Sequence, residues 1–219
     1  MSGDLLDKIL RDDPGEQKTR EENEILHPLL DEINLIFDQG IRQFVRSLLV
    51  KAEEFWVIPA SFSGKHYPPD ERKEGGNVVH TQRVVRLVRI LAESQERSSH
   101  EIDILTAAAL LHDLLKGKTQ DGKLEYDSMH PYAVDSFVNW ARGEDEQFNV
   151  SGASTTTLID DSSLAHILRL IRCHMGIWSP IPETIPLSQL EWYLHYADRI
   201  ATKLHLVTDH EVNEARWNV

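Results

Sequence analysis

The chain has 219 residues, 41% hydrophobic and 27% charged, which suits one globular core and argues against a disordered chain. A formal net charge of −13 repels polyphosphate backbones, so a long nucleic acid is an improbable partner; a small anion remains possible where a metal reverses the local field. The single cysteine, Cys173, excludes an intrachain disulfide framework; no apolar run is long enough to span a bilayer and MSGDLLDKIL is not a signal peptide, so the chain reads as cytoplasmic with no membrane partner.

Residues 1–24 are polar, with Pro14 and Gly15 in the middle, and predict a flexible or helical arm. From Ile25 to Lys51 apolar residues recur at helical spacing (Leu26, Leu29, Leu30, Ile33 and on to Leu48 and Leu49), with a break between two helices expected at Gly40. Ile58 to Gly76 holds three prolines and three glycines and predicts a long loop of the kind that often carries function. Helical patterns follow over Asn77–Glu93, Glu101–Lys116, Met129–Arg142, Asp161–Met175 and about Leu187–Leu206, with a Ser/Thr/Gly-rich surface loop over Gly143–Asp160. No alternating run argues for a sheet. The expected class is all-α, with one domain over 25–219.

The segment Ile104–Lys116 is apolar on every side, as core helices are, yet it contains His112 and Asp113. A buried, unpaired carboxylate costs several kcal/mol, about the range of a broken buried ion pair, so something must compensate Asp113. A divalent cation does so well, because imidazole and carboxylate are both good ligands. His80, His130, His174 and Asp198 lie in similar settings, at helix ends or in apolar surroundings. Each alone is more often a hydrogen-bonded core residue or a solvated one; the combination carries the argument. His27, His100, His166, His195, His205 and His210 read as structural or surface residues.

These residues carry a pattern similar to that of the HD superfamily. Gly75-Gly76-Asn77-Val78-Val79-His80-Thr81 resembles its Gly-Gly-x-x-x-His-Thr opening, Leu111-His112-Asp113-Leu114-Leu115-Lys116-Gly117 its His-Asp-x-x-Lys-Gly signature, and Tyr196-Ala197-Asp198-Arg199-Ile200-Ala201 its closing motif. The resemblance covers residues 55–206 and implies an HD-domain helical bundle, with the Pro/Gly-rich loop preceding the first ligand helix. It further implies that His80, His112, Asp113 and Asp198 bind a metal. His130 and His174 fill the positions that bind a second ion in some members, with Asp113 between the two. The nitrogen and oxygen ligands allow manganese, iron, cobalt, nickel, zinc or magnesium.

The activity implied is hydrolysis of a small phosphoester, a nucleotide or a cyclic or short phosphodiester, by metal-activated water. In that reading Asp113 and Lys116 are catalytic, Lys116 lying one helical turn after His112 and meeting a phosphate oxygen; its alternative is a solvated lysine at a helix C-terminus. Pro59–Pro68 resembles a segment of certain HD hydrolases, including some exoribonucleases. Its Ser61, Ser63, Lys65 and His66 suit phosphate binding, or else plain turn chemistry. Trp178 either stacks on a base or closes the pocket. Cys173 reads as a small core residue. The same ligand set also serves di-iron oxygenases of the superfamily, and a non-catalytic regulatory HD module is a third possibility.

Overall fold

Helix α5 (Ser99–Leu111) is the axis on which the others are laid, because its residues are buried without a break from Asp103 to Leu111. It begins at a capping box, in which Ser98 and Glu101 satisfy each other's backbone N–H groups. The computed structural model describes residues 14–65, 67–121, 123–141 and 159–203. Around α5 stand α1 (Pro14–Leu26), α2 (Leu30–Asn34), α3 (Gln39–Lys51), α4 (Gly76–Ser94), α6 (His130–Ala141), α7 (Asp161–Cys173) and α8 (Gln189–Ala201). Helices α2, α3, α4, α7 and α8 each pack against α5, and α4 also lies along α8. The class is all-α, as expected. Residues 1–13, 142–158 and 204–219 lie outside the described residues, and with them most of the loop expected over Gly143–Asp160, as do His66 and Gly122.

Two boundaries and one added element differ from the sequence reading. The break expected at Gly40 falls instead over residues 35–38, and Gly40 is inside α3. Asp38 caps α3, accepting from the Ile41 N–H at 2.8 Å. The carboxylate of Asp103, reaching across from α5, accepts from the N–H groups of Phe37 at 3.0 Å and Asp38 at 2.7 Å. A tertiary partner far along the chain therefore places the break, and local glycine content could not show it.

The second difference is that the helix expected to reach Lys116 stops at Leu111, and residues 112–115 form turns. His112 and Lys116 therefore do not share a helix face. The third is a hairpin, β1 (Gly117–Gln120) paired antiparallel with β2 (Lys123–Tyr126). Its strands are four residues each and mostly polar, too short to show alternation. The one local signal is Asp121-Gly122, a favoured hairpin turn, with Asp121 at a φ of 51°.

The Pro/Gly-rich loop is tied down. Ala60 N–H donates to the Glu71 carbonyl at 2.8 Å, Gly75 N–H to Val57 at 3.1 Å and Asn77 N–H to Ile58 at 3.1 Å. These bonds lay the loop against the first turn of α4. Among the described residues no helix is long and apolar enough to cross a membrane.

Replacing Asp103 by Ala strands two backbone donors and should cost about 3 kcal/mol in urea unfolding, with Asp103→Asn recovering part of it. At the start of α8, Glu191 accepts from Leu187 N–H at 2.6 Å and Ser188 N–H at 3.4 Å, and pairs with Arg169 at 3.2 Å. Burial raises its pKa, but these donors outweigh it and hold the carboxyl below its usual value of 4.5. Its stabilisation is thus present above that value and lost as the pH falls through the lowered one. The gap between wild type and Glu191→Gln, about 1 kcal/mol at pH 7, should close toward pH 3; a gap independent of pH would contradict this.

Candidate metal centre

The helix ends converge on one point. His80 lies in the first turns of α4, His112 directly follows α5, His130 opens α6, His174 caps the C-terminus of α7, and Asp198 is near the end of α8. Asp113 comes next after His112 and stands in the middle. All four imidazoles are buried and Asp113 is 2% exposed; Asp198, with its side chain 22% exposed, is the one member open to the outside.

Asp113 divides the group in two. Its Oδ2 lies 3.3 Å from His112 Nε2 and 3.8 Å from His80 Nε2. Its Oδ1 lies 3.1 Å from His130 Nε2 and 3.7 Å from His174 Nε2. Asp198 Oδ1 completes the first side, 3.0 Å from His80 Nε2 and 3.9 Å from His112 Nε2. Two clusters result, His80 with His112 and Asp198, and Asp113 with His130 and His174; within each, the ligand atoms lie within 4.8 Å of one another.

Every Nδ1 of the four imidazoles faces an oxygen. His112 donates to Ala109 O, His130 to Asp127 O and His174 to Ile171 O, each at 2.7 Å, and His80 to Glu71 Oε2 at 3.2 Å. In a neutral ring held by a carbonyl, as at His112, His130 and His174, such a bond leaves Nε2 as a bare lone pair aimed inward. His130 and His174 then face each other, Nε2 to Nε2, at 3.4 Å with no proton to share. His112 Nε2 is fully buried with no hydrogen-bond partner. Buried polar atoms are rarely left so, and a cation between the rings is the simplest partner for them. The residues fit divalent ions with nitrogen and oxygen ligands.

The charges agree. Burial works against ionising Asp113, but the Lys116 ammonium and the neighbouring histidines hold its carboxyl well below the usual range. Burial also opposes ionised Asp198, and His80 more than offsets it. Burial pushes His174 down to about 3, so that ring is neutral. His80 differs: burial penalises its charge, yet Asp198 and Glu71 carry it up to about 9, so without a cation its Nε2 keeps a proton directed at Asp198 Oδ1, 3.0 Å away.

The site opens into a cavity of about 430 Å³. Lys116 is on its floor, its Nζ 2.6 Å from Asp113 Oδ2 and 3.3 Å from the Tyr67 hydroxyl. Burial disfavours its charge, but Asp113 outweighs that and keeps it an ammonium. Ser61 and Ser63 line the cavity, though Ser61 Oγ donates to Lys65 O at 3.1 Å and Ser63 Oγ accepts from Lys65 N–H at 3.3 Å. Lys65 itself is exposed and is not among the lining residues. Trp178 is on the rim, 51% exposed.

Several lining residues escaped the sequence reading. Tyr67 and Tyr126 flank the floor, and Arg199 lies over the Trp178 ring at 4.1 Å. His195, read as structural, also lines the cavity; it donates from Nδ1 to His174 O at 2.8 Å and stacks on Trp178 at 5.8 Å. Its position three residues before Asp198 on one helix was the available signal. Gly176 makes room for it: at a φ of 58°, a Cβ there would lie 2.4 Å from the His195 ring. Cys173 is buried, and burial pushes its thiol up to about 12.

Comparison with curated proteins and with solved structures gives no match. The family pattern of the HD domain, however, matches residues 77–203, more than half of the chain. The match begins just before His80 and ends just after Asp198, so it spans both clusters and leaves the Ile58–Gly76 loop outside it. The chain belongs to the HD-domain family, which is largely made up of metal-dependent phosphohydrolases.

Proposed function

We propose that the protein is a phosphohydrolase of small phosphoesters, a nucleotide or a cyclic or short phosphodiester, that uses two divalent ions. The observation that carries the proposal is the division of Asp113, one oxygen toward His80 and His112 and the other toward His130 and His174. A carboxylate so placed suits a bridge between two cations. His80, His112 and Asp198 would hold one ion, His130 and His174 the other. Bound there, divalent ions supply a hydroxide at neutral pH and neutralise charge on a phosphoryl oxygen.

The protein's own groups account for the rest. Lys116 keeps its charge at the cavity floor and is suited to stabilise phosphoryl oxygens as negative charge builds on them. Tyr67 holds that ammonium from the far side: its OH accepts from Nζ, and its ring lies 5.2 Å from Nζ. Ser61 and Ser63 shape the wall through their turn. Trp178, half exposed at the mouth with the His195 ring stacked on it and the Arg199 guanidinium over it, offers apolar ring surface to a base or another planar group, with a cation at hand.

The test is metal analysis of protein purified without chelator, with phosphate release from an aryl phosphodiester and a nucleotide panel in manganese. Wild type should hold close to two ions and turn over; Asp113→Ala should lose both ions and activity. Lys116→Ala should keep its ions while kcat falls about 100-fold, the scale of one lost charge-stabilising donor. Iron with oxygen-dependent turnover and no phosphate release would point to an oxygenase instead. Trp178→Ala should raise KM for nucleotides by about tenfold, a typical loss of base stacking, and leave the aryl phosphodiester nearly unchanged.

A further inference from the structure

The four histidines are not held alike. Three donate their Nδ1 protons to backbone carbonyls three residues earlier in the chain. His80 alone donates to a carboxylate, Glu71 Oε2, and Glu71 is completely buried. The other oxygen of Glu71 accepts from Arg83, whose guanidinium also forks onto Asp70 at 2.6 and 3.2 Å. A chain of charge thus runs from Asp70 through Arg83 and Glu71 to His80, and ends on Asp198. A carboxylate behind an imidazole fixes its tautomer and makes its free nitrogen a stronger donor than a neutral carbonyl does.

Glu71 lies in the Pro/Gly-rich loop, outside the matched part of the chain. Its position depends on the glycine pair at the start of α4. Gly75 takes a φ of 71°, open to glycine at little cost. A Cβ on Gly76 would fall 2.2 Å from the Glu71 carbonyl oxygen and 2.9 Å from its Cα. Gly76 thus lets the backbone of Glu71 rest on the helix that carries His80, one turn from the ring.

We propose that Glu71 is a positioning residue that makes the His80–His112–Asp198 cluster the tighter of the two metal positions, with Gly76 and Arg83 holding it there. This rests on the two-ion reading above. Glu71 does not touch the ions or the substrate; it acts through His80. The two positions are therefore unequal by construction, and the first ion enters beside His80.

Manganese titration by calorimetry, with bound metal counted after dialysis, tests this on the full chain. Glu71→Gln keeps the shape and an acceptor but removes the charge. Two backgrounds separate the positions: His174→Ala leaves the His80 cluster, and His112→Ala leaves the His130–His174 side. Glu71→Gln should weaken manganese 10- to 100-fold in the first background and not in the second. Gly76→Ala, which keeps the carboxylate but displaces it, should repeat this pattern. Equal weakening in both backgrounds would mark Glu71 as merely structural and overturn the proposal. Unchanged affinity in both would overturn it while leaving the two-ion reading intact. A wild type that takes up no manganese would overturn both.

Discussion

The structure depends on one buried negative charge. Asp113 sits among Leu111, His112 and Leu114 at the end of the most apolar helix, 2% exposed, where an unpaired carboxylate would be prohibitive. Everything around it compensates. Lys116 gives it an ammonium on one side, and four imidazoles turn toward it on the others. Three of the imidazoles are aimed inward by backbone carbonyls, and His112 Nε2 is left without a hydrogen-bond partner that a cation would supply. Such an arrangement is costly for stability and is retained where chemistry requires it.

The helices supply the precision. Three candidate ligands at helix ends, His112, His130 and His174, are fixed by backbone carbonyls: Ala109, Asp127 and Ile171 each hold a ring three residues on. No additional side chains are needed for those three. The exception is His80, in the second turn of α4, whose Nδ1 meets a carboxylate instead of a carbonyl. That carboxylate comes from another segment, and the Pro/Gly-rich loop delivers it. The loop also brings Tyr67 to Lys116, so one segment supports both an imidazole and the ammonium.

Much of this was legible in the sequence. A helix apolar on every side that ends in His-Asp is an anomaly visible without coordinates, and it marks the centre. Helix positions followed from periodicity, because burying one face of α3 or α7 requires it. What was not legible depends on tertiary partners. The break after α2 is set by Asp103 from α5, and the end of α5 precedes His112 although leucines continue the apolar run. Glu71 looks in sequence like any acid in a polar loop; only folding shows it buried behind His80. His195 was assigned to structure because its own neighbours gave no cue, while its spacing from Asp198 did. The hydroxyls of Ser61 and Ser63 suit phosphate in composition, yet they are engaged with the Lys65 backbone.

The most direct test of the central claim is a crystal grown in manganese and measured for anomalous scattering. The account predicts two peaks flanking the Asp113 carboxylate, one among His80, His112 and Asp198, the other beside His130 and His174. Lys116 should then release Asp113 Oδ2, since ion and ammonium compete for the same oxygen. No peak among these six residues, with Lys116 still paired to Asp113, would contradict it.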